Sequence, residues 1–234
     1  MYINWLQDVP HELDIVLDIG SNDGTFLKSY NTKATKIGID PTGIKFEKYY
    51  DSDIKLVSDF FSKKSYDSVE KRKAKIITSI AMFYDLEDIS PFVQDVYDCL
   101  DDEGIWHFEQ SYMPSMIRMM AYDTICHEHT EYYGMISITK ILEKHGFDIA
   151  DVITNSINGG SFAITAAKST SKLIPNLPII NWMLKQEENL LLDTIKPYED
   201  FKERVFNHRN NLIELVEALV ADGKKVFGYG ASTK

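Results

Sequence analysis

Apolar positions along this chain follow two rhythms. From Glu12 to about Lys168, short runs of β-branched and other apolar residues alternate with stretches whose apolar positions recur every three or four residues. That is the pattern of a parallel sheet with helices on both faces. The runs predict strands over Asp14–Asp18, Lys36–Asp40, Ile54–Val57, Lys75–Ser79, Gly104–Glu109, Phe147–Thr154 and Ser161–Ala167. The last two are joined by Asn158–Gly160, where glycine tolerates positive φ and suits a tight antiparallel turn.

After Ser169 the rhythm is helical, punctuated by Pro175, Pro178 and Pro197. Phe201, Val205, His208, Leu212, Leu215, Val216 and Leu219 mark one face of a long amphipathic helix, with Pro197 near its first turn. That face requires a partner to bury it. Residues 223–234 then read as a turn, a strand and a glycine-rich loop of the kind that opens a helix. The expected organisation is an α/β domain over 1–168, a helical linker over 169–222, and over 223–234 the start of a truncated second α/β domain.

Composition narrows the function. With 44 % hydrophobic and 26 % charged residues in 234, the chain has ordinary globular usage. Lys and Arg total 25 against 36 Asp and Glu, a net charge of −11 that repels phosphate backbones, so no nucleic-acid partner is expected. The longest charge-free stretches, 152–167 and 173–184, are broken by Asn, Gly, Ser or Pro, which leaves no run of about 20 apolar residues for a membrane span. Two isolated cysteines, Cys99 and Cys126, and a start without a basic-then-apolar leader over Met1–Pro10 point to the cytoplasm and to no structural zinc.

The most informative run is Val16–Leu27, a strand passing through a glycine turn into a helix. Gly20 lets the backbone turn sharply beside a ligand, and the helix beginning near Gly24 offers free N–H groups. Its G-x-x-x-G spacing, with Ser21, Asn22 and Asp23 between, differs from the G-x-G-x-x-G that brings backbone against a pyrophosphate. A carboxylate at Asp23 suits the amino group of the methionine part of S-adenosylmethionine instead. Asp40, at the tip of the second strand, is placed for ribose hydroxyls. Asp59 and Phe60, after the third, are placed for an adenine amino group and ring. Asn22 and Ser79, the latter ending the fourth strand, complete the candidate cofactor set. Singly each has a plain alternative, a capping Asp or a core Phe; together they stand at three successive strand tips.

After the fifth strand a segment longer than a plain βα loop carries Tyr122–Tyr133, with His127, Glu128 and His129 in series. Long insertions at the C-terminal edge of a parallel sheet lie where ligands bind. The two histidines could share a face and hold a metal with a third ligand, although no further His or Cys stands at ligand spacing, or they could be solvated loop residues. Acid–base chemistry is the sharper reading, because imidazole takes a proton near neutral pH and a neighbouring carboxylate can orient it. Tyr112, Tyr132 or Tyr133 could stabilise an oxyanion.

A hairpin ending a βα-alternating sheet is how the class I methyltransferase (Rossmann-like) fold ends. IGSNDGTFL at 19–27, GIDP at 38–41, DFF at 59–61, YDTICHEHTEYY at 122–133, NGGS at 158–161 and GYGASTK at 228–234 carry the resemblance further. Over nearly its whole length the chain resembles the sugar C-methyltransferases, which methylate C-3 of nucleotide-activated 4-keto deoxysugars. The resemblance implies a base that takes the proton beside the ketone, an enolate, and attack on the methyl group of S-adenosylmethionine. It puts the base on His129 with Glu128 beside it, and His127, Tyr112, Tyr132 and Ser161 around the substrate. Two positions depart from it. Cys126 stands where many relatives have tyrosine, and the strand-four loop Ser79–Tyr84 lacks their Asn and His, which moves any polar role there to Tyr84.

The resemblance also implies a preceding zinc-binding domain and a complete second α/β domain, so that cofactor binding survives in this chain more readily than turnover. Arg118, Arg204, Arg209 and Lys234 are candidates for gripping a diphosphate. The alternatives are an O- or N-methyltransferase of a sugar or small metabolite, and a non-catalytic domain that binds S-adenosylmethionine.

Overall fold

The computed structural model describes residues 13–30 and 33–230; Met1–Pro10 and the Ala231–Lys234 end of the glycine-rich loop, Lys234 included, lie outside them. Seven strands form one mixed sheet: β1 (Ile15–Ile19), β2 (Thr35–Ile39), β3 (Ile54–Val57), β4 (Ala74–Ile80), β5 (Leu100–Ser111), β6 (Phe147–Asn155) and β7 (Ser161–Lys168). All seven strands predicted before Ser169 are present. β5 starts earlier than expected, at Leu100, because the chain runs straight on from the preceding helix.

Strand order is β3-β2-β1-β4-β5-β7-β6, parallel except for β7, which lies antiparallel between β5 and β6. This is the class I methyltransferase arrangement. The chain builds outward from β1 through β2 to β3, then returns to pair β4 on the other side of β1. Such a reversal opens a crevice beyond the strands' C-terminal ends.

Alternation along the central strands sends side chains to two cores. Leu17, Ile77, Trp106 and Phe108 join the larger cluster, closed by α4 (Ile89–Cys99) through Val93 and Val96 and by α6 (Met135–Lys144) through Ile138 and Leu142. Val16, Ile76 and Ile105 face the opposite way, onto Leu27 and Tyr30. Strands covered on both faces read as continuous apolar runs, which is why β1 is IVLDI with all five residues buried. Between them lie the short helices α1 (Thr25–Lys28), α2 (Gly43–Phe46) and α3 (Lys63–Asp67). A further helix, α5 (Met113–Met119), follows β5.

The β6–β7 turn needs its glycines. Gly160 has φ 123°, and a Cβ there would come within 2.5 Å of Cβ of Ser115 on α5. The backbone so admitted accepts from Tyr112 N (2.9 Å), fixing the start of α5 to the turn.

Two helices follow, α7 (Leu177–Asn189) and α8 (Lys196–Ala221), each with proline in its first turn. α8 is the long helix its spacing predicts, and Phe201 packs on Met113, Met116 and Ile117. Farther along, the expected burial fails: Leu212, Leu215 and Leu219 stay exposed, because none of the other described elements reaches them. The strand expected after Gly223 does not form either. Residues 224–230 are exposed and have no neighbouring strand among the described residues, and an isolated strand has nothing to satisfy its backbone. Among the described residues no helix is long and apolar enough to cross a membrane.

Candidate active site

The β1 turn is built by three left-handed residues, Gly20 (φ 74°), Asn22 (φ 48°) and Gly24 (φ 71°). Asp40 holds it from the neighbouring strand tip. Its Oδ2 accepts from Asn22 N at 2.9 Å, while Oδ1 accepts from Thr42 N (2.7 Å) and Thr42 Oγ1 (2.6 Å). Each oxygen of a carboxylate has more than one acceptor site, so Asp40 braces the turn and still has capacity for a ligand hydroxyl. Asp23 Oδ1 accepts from Thr25 N at 3.0 Å, and Thr25 hydrogen bonds lower its pKa, keeping it an anion at the rim.

Two residues without a local signal complete the turn. The Tyr50 hydroxyl donates to Asn22 O (2.9 Å) and lies 2.8 Å from Ser21 Oγ, with its ring over Gly24. Asp18 lies buried beneath the turn and accepts from Thr78 Oγ1 at 2.5 Å. Burial pushes its pKa up to about 7, against the lowering effect of Thr78. Both act through partners 28 to 60 positions away.

Asp59 and Phe60 follow β3. Phe60 is 75 % exposed, while Phe61 packs into the core against Phe92. Ser79 differs from its expectation. Alternation turns it into the larger core, where it is fully buried and its hydroxyl accepts from Trp106 Nε1 at 3.0 Å. Its side chain is a core partner and not a ligand contact.

The crevice between β1 and β4 is closed by the loop after β4. A Cβ on Gly20 would lie 3.4 Å from the Met82 side chain, so the turn and the loop are in contact. Two residues on, the Tyr84 ring lies 4.3 Å from the His129 ring. Thr130 fastens the histidine segment to the same loop, its N and Oγ1 both donating to Tyr84 O at 3.0 Å. His129 is half-buried and also meets Tyr132 edge-on at 6.2 Å.

Glu128 sits differently from its expected place. Its Oε2 is 3.4 Å from Nδ1 of the exposed His127, not in a hydrogen bond with His129. Its pKa is lowered first by its own backbone N–H and the Cys126 thiol, then by the two flanking imidazoles, so it is an anion in the field of both rings. Among the described residues no group of three or more His, Cys, Asp or Glu side chains could hold a metal.

The remaining candidates are held by partners within the protein. Tyr112 is buried, and its hydroxyl donates to Glu187 Oε1 at 2.8 Å. Burial and the carboxylate raise its pKa, so this phenol is a structural donor. Ser161 Oγ donates to Ile157 O, and the Tyr132 hydroxyl to Thr124 O. Arg204 donates to Ile117 O, and Arg209 to Asn210 Oδ1.

Residues 5–152 match the family model described as a methyltransferase domain, and residues 156–234 match the one described as a C-methyltransferase C-terminal domain. The chain belongs to the S-adenosylmethionine-dependent C-methyltransferase family. It is 29 % identical over 224 residues to C-methyltransferase NovU of Streptomyces niveus, a match covering 94 % of this chain and 53 % of that protein. The chain thus spans about half the length of the curated relative it matches.

Solved structures with the same fold include the putative methyltransferase bound to the Trm112 activator of Haloferax volcanii. It has a TM-score of 0.56 at 13 % identity, over 70 % of this chain and 88 % of that one. The plantazolicin methyltransferase BpumL, solved with a triazolic desmethylPZN analog and SAH, has a TM-score of 0.53 at 12 % identity, over 71 % and 80 %.

The cofactor of this C-methyltransferase family member is S-adenosylmethionine, and the donor set fits it. Three left-handed residues leave the β1 turn open to a ligand, Asp40 retains acceptor capacity at the β2 tip, and Phe60 offers an exposed ring after β3.

Proposed function

We propose that this chain carries the cofactor-binding and catalytic part of an enzyme that C-methylates a nucleotide-activated 4-keto deoxysugar at C-3. Gly20, Asn22, Asp23, Asp40, Asp59 and Phe60 hold S-adenosylmethionine, which supplies a methyl group on a sulfonium. The single observation that carries the reading is the placement of His129. It packs on Tyr84, two residues from the Met82 side chain that lies against Gly20, so a base stands beside the methyl donor's turn.

His129 takes the C-3 proton next to the ketone, and the C–H electron pair becomes the enolate. The enolate carbon then forms its bond to the methyl carbon, while the C–S pair stays with sulfur in S-adenosylhomocysteine. Glu128, kept anionic, favours the imidazolium as it forms through its field and not by a direct hydrogen bond. The chain's net charge of −11 and its free cysteines, Cys99 and Cys126, support a cytoplasmic enzyme with a small-molecule substrate and neither nucleic acid nor membrane as partner.

Proton exchange in deuterated buffer tests this. C-3 of the keto sugar should acquire deuterium with S-adenosylhomocysteine in place of the methyl donor, and His129→Ala should lower exchange and methyl transfer together by roughly 10²–10⁴-fold. Methyl transfer to oxygen or nitrogen without any C-3 exchange would replace the reading with a heteroatom methyltransferase. An unchanged rate in the variant would remove the base.

A further inference from the structure

Gln110, near the end of β5, is 1 % exposed, and neither its amide nitrogen nor its amide oxygen has a hydrogen-bond partner among the described residues. A buried amide left so loses its hydration without compensation, and native chains keep few of them. Buried Asp18, Ser79 and Tyr112 each have a partner, in Thr78, Trp106 and Glu187.

Strand alternation places this amide beside the base. Phe108, Gln110 and Tyr112 project from one face of β5, successive side chains about 7 Å apart along the strand. The Phe108 ring lies 5.5 Å from Phe83, and Tyr112 pairs with Tyr133, whose ring lies 5.4 Å from the same Phe83. Gln110, between them, therefore faces the seam between the loop after β4 and the segment that carries His129. Along that seam the Tyr84 and His129 rings meet at 4.3 Å.

The sheet opens at the same row. β4 and β5 pair as far as Ile80 and Glu109, and Ala81 N donates to Glu109 O at 2.8 Å. Ala81 then turns the chain away with a left-handed φ of 54°, a costly conformation for a residue with a Cβ, and is itself exposed. Gln110 thus stands in the first row beyond the β4–β5 pairing. The histidine segment is the lighter side of the seam. His127, Glu128, Thr130 and Glu131 are exposed, and Thr130 and Glu131 tie it to the carbonyls of Tyr84 and Leu86. A segment held this way opens at low cost.

We propose that Gln110 is a catalytic residue, its amide N–H donating to the ketone oxygen of the substrate once the histidine segment shifts to admit it. As His129 takes the proton, the C–H pair becomes part of the new C–C double bond and the carbonyl pair moves onto oxygen. The amide binds that charge and keeps its own proton. A fixed donor in apolar surroundings acts mostly where charge develops, in the transition state. Tyr112 and Tyr132, two of the tyrosines expected to stabilise this oxyanion, are bound to Glu187 and to Thr124 O instead. The assignment rests on the keto-sugar reading above.

Gln110→Met separates catalysis from structure, because it keeps the length of the side chain and removes both stranded atoms. Its urea midpoint should equal or exceed that of the wild type, with S-adenosylhomocysteine affinity kept. The probes are 4-keto deoxysugars linked to thymidine diphosphate and to uridine diphosphate. Deuterium uptake at C-3 in the presence of S-adenosylhomocysteine, and methyl transfer, should both fall roughly 10²–10³-fold, the loss appearing in kcat. Gln110→Asn, which withdraws the amide by one methylene, should lie between. A midpoint below wild type would show that the protein itself engages the amide. Wild-type exchange in Gln110→Met, or a raised KM at unchanged kcat, would show that the amide does not meet the oxygen as charge builds. Each of these ends the assignment and leaves the keto-sugar reading standing. Absence of C-3 exchange in the wild type with both probes, while S-adenosylhomocysteine still binds, would overturn the two together.

Discussion

Tyr84 and His129 meet ring to ring at 4.3 Å and 53°, and Thr130, the next residue, donates twice to the Tyr84 carbonyl and once to Leu86 O. The histidine is thus set by the loop after β4 together with Tyr132 of its own segment. Thr130→Val keeps the branched shape and removes the hydroxyl bonds, leaving the Thr130 and Glu131 amides on the Tyr84 carbonyl. We expect kcat to fall up to roughly 100-fold, the effect of about 1 Å of misplacement, with S-adenosylhomocysteine affinity unchanged. Tyr84→Phe, which retains the ring, should keep most of the activity. Wild-type kcat in Thr130→Val would show that the loop does not position His129.

The sheet was legible because each strand is a short β-branched run and each turn carries its own glycine or aspartate. Asp40 was legible for the same reason, standing at a strand tip. Asp18, Tyr50 and Glu187 were not. Their partners, Thr78, Asn22 and Tyr112, are 60, 28 and 75 positions distant, and no local spacing encodes such a contact. Ser79 misled because a polar residue at a strand end resembles a ligand contact until the facing Trp106 is known. The residues after Gly223 have the composition of a strand, yet pairing needs a neighbour that composition cannot supply.

Asp18 makes stability depend on pH. Its folded pKa of about 7 lies above the roughly 3.9 of a free aspartate. Between those values the folded chain holds a proton that the unfolded chain has released. Stability is therefore greatest at the acid end of this window and is lost as pH rises through about 7, by roughly 4 kcal/mol at most. His107, lowered by burial to about 4, has the opposite slope over pH 4 to 6.5. Urea midpoints of the wild type and Asp18→Asn at pH 5, 6.5 and 8 cancel the His107 contribution. The variant should gain on the wild type as pH rises; parallel curves would show that Asp18 titrates normally.

Glu187 joins three elements at one carboxylate. From α7 it accepts the Tyr112 hydroxyl at the end of β5 (2.8 Å) and two amides opening α6, Met135 N (2.5 Å) and Ile136 N (2.9 Å). It is almost wholly buried, and a Cβ on Gly134 would meet its oxygens at 2.8 and 2.9 Å, so the chain gives way to it there. An anion at a helix N-terminus is well placed, and this one also satisfies donors that water cannot reach. Glu187→Ala strands a phenol and two amides, and should cost about 3 kcal/mol or more. Glu187→Gln keeps the shape but turns an NH₂ toward one of the donors, at about 1–3 kcal/mol. Tyr112→Phe leaves both amides bound and should cost less than either. This order, Ala above Gln above Phe in denaturant unfolding, follows from counting stranded donors. Because the junction lies across β5 from the β1 turn, S-adenosylhomocysteine affinity of the folded variants should stay near wild type. Equal destabilisation by all three changes would mean that packing, and not the carboxylate's hydrogen bonds, holds the junction.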